Sequence, residues 1–440
     1  MSTLDPVFDT PSNSPANLRG DVQLISLVGI AHWVSHFSQL LLPPLFPWIK
    51  EGLGVSYAEL GFLMSVFFVV SCAVQALSGF AVDRFGPRPL LFWGLICLVL
   101  AMFGYALSES YTQMVVCAFL AGMGNGVFHP ADYTLLNRRV SPKRIGHAYS
   151  VHGLTGTLGW ALAPALMVPI AIASSWHVAL CVAGLISFAV LLLIYFKREE
   201  LTLDSSDSQA IEILAKPPSI HSTRSNDQSN DQSTDQSNER ILSRPEGTFD
   251  FLKIPVVWMC FAFFLFYSMA LSIVQAYAPE AVRHLQSVPL SVTSSCLTIY
   301  MLCSAGGMFL GGFLASNPQR AERVVGVAFL MAGCLSLSFV FLELQSWQVL
   351  LLFGVMGLIS GSASPSRDLL VKQSTPPNAS GRVYGVVYSG LDIGQAISAF
   401  VFGVLMDEHN YSAVIMGLAL LQVILVLGAL NVRRVRRIAS

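Results

Sequence analysis

Gly122-Met-Gly-Asn-Gly126-Val-Phe-His129-Pro130 and, 235 positions later, Gly357-Leu-Ile-Ser-Gly361-Ser-Ala-Ser-Pro365 specify one backbone twice. The same shift lays Pro142 on Pro377, Gly146 on Gly381, Tyr149 on Tyr384 and Gly159 on Gly394. Paired residues of this kind are mostly Gly and Pro, which fix backbone shape and close approach. Architecture therefore repeats, and side-chain chemistry is left free to differ. Two hydrophobic halves of similar shape, facing each other in a membrane, are the layout of a rocking-bundle transporter.

Composition places the chain in the membrane. Apolar residues make up 54% and charged residues 12%, against about 25% charged in a soluble domain. The net charge of −1 argues against nucleic acid as a partner. The polar, Pro- and Ser-rich stretch 1–20 lacks the basic start and apolar run of a secretory signal. It is expected to be a disordered tail ahead of a first span that doubles as insertion signal. Eight cysteines all lie within apolar runs with no C-x-x-C pair, which points to packing thiols rather than a disulfide framework or zinc site.

A spanning helix needs about 20 mostly apolar residues. Such runs fall near 22–46, 57–82, 89–108, 112–136, 146–170 and 177–196, then near 253–279, 290–314, 323–342, 347–370, 382–406 and 411–431. The expected fold is an all-α polytopic membrane protein with 12 transmembrane helices in two pseudo-symmetric six-helix bundles, 21–196 and 251–431. The segment 197–250 between them contains the repeat Ser225-Asn-Asp-Gln, Ser229-Asn-Asp-Gln, Ser233-Thr-Asp-Gln. It has too little apolar area to offset its ordering entropy, and is expected to be a flexible cytoplasmic linker. Residues 432–440 form a basic tail. With both ends on one side, only Lys50 and Arg283 of the 25 Lys and Arg fall in loops on the other. The positive-inside rule then places both termini in the cytoplasm, and the expected location is a bacterial plasma or inner membrane.

Between spans two and three stands Gly79-Phe-Ala-Val-Asp83-Arg84-Phe-Gly86-Pro-Arg88-Pro. This resembles the G-x-x-x-D-R-x-G-x-R motif of the major facilitator superfamily (MFS), at the place where that family carries it. Gly79 allows close helix approach and Gly86 a tight turn. The resemblance implies that Asp83 meets the start of span eleven, near Gly381, where a negative charge is favoured, and latches the cytoplasmic side shut. Gly124-x-Gly126-Val-Phe-His129-Pro130, the Gly-rich span five and the opening Ser35-His36-Phe…Pro43-Pro…Pro47 are similar to fosmidomycin-resistance-type transporters. That likeness implies export of a small polar or drug-like compound in exchange for protons. Three departures bear on it. The family's span-four arginine is Ala118, the second glycine of its span-five motif is Ala163, and the second-half loop copy has Ser316 in place of the aspartate.

An ionised side chain at the bilayer centre costs about 2.5–3.5 kcal/mol or more, so polar residues within spans are functional candidates. In span one His32, His36 and Gln39 share a helix face. Histidine titrates near neutrality, so the pair can carry a proton or, alternatively, hydrogen-bond a neighbouring helix. In span four Asn125, His129 and Asp132 are grouped, and Pro130 is expected to break the helix and free carbonyls there. His152 in span five is either a proton relay or a helix–helix contact, beside Gly153, Gly156 and Gly159, whose spacing makes a smooth packing face. Asp132 aligns with Arg367 under the 235 shift. The two form a gating ion pair, or a static one, or else Arg367 holds an anionic substrate. Asp392 is either a protonatable coupling group or the partner of a basic residue. Gln75 and Gln275 add polar contacts, whereas Glu280, Arg283 and His284 are expected to stay solvated at the external mouth.

No nucleotide motif, nucleophile–base constellation or metal-ligand pattern is evident beyond His32/His36, whose i, i+4 pair lacks a clear third ligand. The chain is therefore expected to be a monomeric secondary transporter, not an enzyme, with no cofactor and no metal. Its expected partners are protons, a small-molecule substrate and the lipid bilayer. Proton-coupled export leads; uptake of a small organic anion and a non-transporting sensor on the same fold are the alternatives.

Overall fold

The computed structural model describes residues 18–141, 144–202, 255–314, 320–374 and 380–439, and among them every regular element is helical. Most of the tail 1–20, the linker from 203 to 250 with its Ser225–Asn238 repeat, and the side chains of Asp83, of 368–385 and of 431–440 lie outside the described residues. The described residues hold fifteen α-helices: α1 (Leu18–Gln39), α2 (Phe46–Leu53), α3 (Tyr57–Phe85), α4 (Pro87–Ala106), α5 (Tyr111–Asn125), α6 (Phe128–Arg139), α7 (Ile145–Ala173) and α8 (Trp176–Phe196) in the first half. The second half has α9 (Pro255–Ala276), α10 (Ala278–Gln286), α11 (Leu290–Leu314), α12 (Ala321–Phe341), α13 (Ser346–Ser374), α14 (Ser380–Asp407) and α15 (Tyr411–Ala439). Twelve stretches are long and apolar enough to cross a membrane, six per half. Two of these, α1–α2 and α5–α6, are interrupted helices.

Local sequence sets the ends. Ser56 and Glu59, and again Ser110 and Gln113, form reciprocal capping boxes that start α3 and α5. These satisfy backbone donors a helix start otherwise leaves open. Span one breaks at Pro43 and Pro44, which lack the N–H needed to continue a helix. Gly86 ends α3 at φ 82°, the tight turn expected of it.

The repeat is visible in the packing. In the first half α1 packs on α7, α3 on α5 and α4 on α8; in the second α9 packs on α14, α11 on α13 and α12 on α15. Two seams join the halves, α3 against α14 and α7 against α11, and they exchange under the half-to-half correspondence. The repeated glycines lie where backbones touch. A Cβ on Gly122 or Gly126 would stand 2.5 Å from the carbonyl oxygens of Phe67 and Ser71 on α3; Gly357 and Gly361 press equally on Tyr300 and Ser304 of α11.

The two ends of the bundle differ. At the end carrying Tyr57, Gly61 of α3 meets the Ala399 carbonyl of α14, Gly403 meets the Tyr57 carbonyl, and the Ser65 hydroxyl donates to the Ala396 carbonyl at 2.6 Å. The Asp407 carboxylate accepts from the backbone N–H groups of Tyr57 and Ala58, both at 2.7 Å, and pairs with Lys50 at 3.6 Å. The second half thus caps a helix of the first. At the opposite end, a Cβ on Gly79, Gly146, Gly153, Gly306 or Gly312 would meet nothing within 4 Å. Among the described residues no close approach is made at Gly79, and of the span-five glycines Gly156 and Gly159 pack on α1 while Gly153 does not.

Two further expectations are corrected. Glu280 is buried rather than solvated, held by Arg283 (2.6 Å) and His284 (3.2 Å) under α10. Pro365 does not copy the break of span four, because α13 runs through it.

Candidate functional site

The polar residues of the first half converge between α1, α3, α5–α6 and α7. Span four does break, at Gly126–Val127, and Pro130 lies in the first turn of α6. With no N–H, Pro130 cannot bond the Gly126 carbonyl; the Ser78 hydroxyl, which donates to the Val74 carbonyl at 2.6 Å, lies 3.3 Å from it. The break turns Asn125, His129 and Asp132 toward α1.

Asp132 is fully buried, and its Oδ2 lies 3.1 Å from His152 Nε2 and 3.0 Å from His32 Nδ1. Its second oxygen, Oδ1, has no hydrogen-bond partner. The rings of His32 and His152 stack at 3.6 Å between centroids, His36 follows at 4.4 Å from His32, and His129 stands 5.2 Å from His32. His129 Nδ1 is 3.0 Å from Gln75 Oε1 on α3. Both ring nitrogens of His36 are buried and neither makes an aligned hydrogen bond, the Gly156 backbone being the polar group beside the ring. Four imidazoles and one carboxylate therefore share a single pocket, with Tyr133 against His152 at 5.0 Å.

Above this pocket Asn125 is a junction. Its Oδ1 accepts from Ser35 (2.7 Å) and Gln39 (3.1 Å), and its Nδ2 donates to Ser71 (2.8 Å). Trp160 donates to Gln39 Oε1 at 3.1 Å and packs on His36 at 4.4 Å. Gly156 and Gly159 make this possible, since a Cβ on either would stand 3.2 Å or closer to the His36 ring atoms or Cβ.

Of the sequence candidates, His32, His36, Gln39, Asn125, His129, Asp132 and His152 come together. Arg367 and Asp392 do not join them. Arg367 lies over the rings of Tyr267 (4.3 Å) and Phe264 (5.3 Å) in the second half, so the expected Asp132–Arg367 ion pair is replaced by Asp132's two histidines. Asp392 lies on α14, one turn before Gln395, whose Nε2 contacts Gln275 Oε1 at 3.3 Å. In the loop motif Arg84 is exposed, while Arg88 donates to Thr202 at 2.9 Å and ties span three to the segment after span six. The latch partners, the Asp83 side chain and that of the segment around Gly381, lie outside the described residues.

Sequence reasoning missed Ser35, Ser71, Trp160 and Tyr133, whose types are ordinary in a span and whose roles arise only across helices. It also missed Asp407, which stands at the end of α14 with no pattern around it. The missing third metal ligand is a correction: His32, His36 and His129 bring one ligating atom each within 4.8 Å of one another, as do His32, Asp132 and His152.

A twelve-span helical bundle repeated in halves, with a buried polar cluster inside the first half, has a match among known proteins. The model of the Major Facilitator Superfamily matches residues 28–398 and 286–438. The chain belongs to the Major Facilitator Superfamily. It is 24% identical over 410 residues to an uncharacterized MFS-type transporter of Bacillus subtilis, covering 92% of each chain. It is 21% identical over 418 residues to a probable sulfoacetate transporter of Cupriavidus necator, covering 88% of this chain and 87% of that one. It is 27% identical over 157 residues to a fosmidomycin resistance protein of Escherichia coli, covering 35% and 37% respectively.

Proposed function

We propose that this MFS transporter exports a small polar or drug-like compound in exchange for protons. The observation that carries the reading is the buried Asp132, approached by both His32 and His152. A carboxylate between imidazoles inside a membrane changes charge whenever a proton arrives or leaves, and such groups mark proton and substrate pathways. Basic residues bias the open end to the cytoplasm, so the conformation faces inward, with Asp407 and the Gly61/Gly403 contacts sealing the outside. A compound loads beside the histidines from the cytoplasm. Rocking of the halves then breaks the outer seal and forms the Asp83 latch. One proton re-entering across 100 mV releases about 2.3 kcal/mol, roughly a 40-fold gradient of a neutral compound.

Similarity to the fosmidomycin resistance protein supports the direction, and it falls on about a third of the chain. A second reading, proton-coupled uptake of a small organic anion, has its own support. Arg367 over Tyr267 and Phe264 presents a cation in the second half, and a relative matched along most of its length is named a probable sulfoacetate transporter. Vesicles separate the two. With a panel headed by fosmidomycin and including small sulfonates and carboxylates, inverted vesicles with an acid lumen should accumulate substrate and lose lumenal acidity. Accumulation confined to right-side-out vesicles would replace export with uptake, and no movement of any panel member in either orientation would sink both.

A further inference from the structure

We infer that His32, His36 and His129 form a site for one divalent transition-metal ion of the zinc class, with Asp132 and Gln75 orienting two of the rings. The inference builds on the reading of this pocket as the site reached from the open end. Zinc with nitrogen ligands at about 2.0–2.1 Å needs those ligands roughly 3.3 Å apart. The three histidines already place a ligating atom each within 4.8 Å of one another, so small side-chain rotations suffice.

Three observations set this group apart from chance proximity. A ligating imidazole characteristically gives its other ring nitrogen to a carboxylate or carbonyl oxygen. His129 Nδ1 is 3.0 Å from Gln75 Oε1 and His32 Nδ1 is 3.0 Å from Asp132 Oδ2, which leaves Nε2 of both rings for a ligand. The His32 contact lacks the alignment of a directed hydrogen bond, a defect that a ring rotation toward an ion corrects. Next, both ring nitrogens of His36 are buried and neither makes an aligned hydrogen bond, with only the Gly156 backbone close by, an arrangement unfavourable for a buried polar group. An ion supplies an aligned partner. Finally, His32 Nε2 and His36 Nδ1 both border the gap at Gly156, 3.2 and 2.9 Å from where its Cβ would stand. A side chain there would close the space between them.

Donor chemistry chooses the ion. Three neutral imidazoles suit zinc, cobalt, nickel or copper, whereas magnesium and calcium take oxygen ligands. Three protein ligands leave a fourth position open. The other grouping, His32, Asp132 and His152, is a poorer candidate, because His32 and His152 approach the same carboxylate oxygen and are spent on it.

The test uses the full chain in detergent, stripped with EDTA and titrated with cobalt(II), then zinc(II). One cobalt per chain with visible absorption of a nitrogen-ligated ion, displaced by zinc, is expected. His36→Gln and His129→Gln should each weaken binding at least 10-fold. Asp132→Asn should weaken it about 10–100-fold with the stoichiometry kept. His147→Gln and His409→Gln, at exposed positions, should change nothing. Thermal unfolding in EDTA shows that each variant is folded, and if His36→Gln is not, His129→Gln decides. Absence of stoichiometric binding, or binding lost in the exposed-histidine variants but kept in His129→Gln, overturns the site. Transport measured in EDTA keeps the two proposals apart: transport without metal binding sinks only the metal, and metal binding in a chain that moves nothing sinks only the transport.

Discussion

Asn125, His129 and Asp132 in the first half stand where Ser360, Ser364 and Arg367 stand in the second. The backbone contacts around them are alike, with Gly122 and Gly126 on α3 and Gly357 and Gly361 on α11. Their chemistry is not. The first half gathers four histidines and a carboxylate, and the second offers a guanidinium over two aromatic rings. Even the proline differs in effect. The Ser78 hydroxyl stands 3.3 Å from the carbonyl that Pro130 leaves free, and the helix breaks there. At the matching place on α11 stands Gly311, with no hydroxyl to offer, against Ser362 and Pro365 of an unbroken α13. A rocking mechanism needs only the contacts to be symmetric. Clustered imidazoles and a helix broken at its proline can be concentrated in one half, and among the described residues they are.

The largest effect expected from that division is at Asp132. Asp132→Asn should lower proton-linked transport at least 100-fold, because it removes the group on which two imidazoles converge, while Ser364→Ala, at the second-half position that matches His129, should change it less than twofold. Vesicle transport at equal protein level reads both. Equal losses at the two positions would show that the chemistry is shared between the halves after all.

The converse holds for the glycines. Gly126→Ala and Gly361→Ala each force a Cβ against a backbone carbonyl, and overpacking of this kind costs about 1–3 kcal/mol. The two variants should lose thermal stability by similar amounts in detergent. A large loss in one with none in the other would mean that the repeat is a likeness of sequence without a likeness of load.

How much of this was legible beforehand follows from the same split. Gly and Pro act through their own backbone, so their positions predicted the repeat and the break near Pro130 from sequence alone, while the length of the apolar runs predicted the twelve spans. His32, His36 and Gln39 could be put on one face because helical periodicity is local. Ser35, Ser71, Trp160 and the pairing of Asp132 with His152 are contacts between helices, and periodicity carries no information on which helices meet. Asp132 and Arg367 align in the repeat yet face different partners, because a shift in sequence matches places within each half rather than contacts across them. Asp407 was invisible for a related reason: its partners, the N–H groups of Tyr57 and Ala58, are backbone, lie 350 and 349 positions away, and leave no side-chain trace.

Asp407 carries the next prediction. Asp407→Asn keeps one acceptor for the N-terminus of α3 but loses the charge that favours it and the Lys50 pair. Charges at helix ends are worth about 0.3–1 kcal/mol, so the sealed end should open roughly two- to fivefold more often. A cysteine placed at Gly54, beside the seal, should label correspondingly faster from outside. Unchanged labelling would leave the seal to Gly61, Gly403 and Ser65 alone.

The smallest effect belongs to the segment that joins the halves. Removing Ser225–Asn238 deletes 14 residues that include no apolar or aromatic side chain, so no docked face is lost with them. What remains of 197–250 still has 40 residues to connect α8 to α9. Loop-closure cost changes by only about 0.6 kcal/mol per doubling of length, and this deletion is well short of a halving. Transport rate and thermal stability should both stay within about twofold and a few degrees of the parent. A large loss of transport with stability intact would assign the repeat a part in the cycle, and would move the comparison that matters from the two halves to the chain between them.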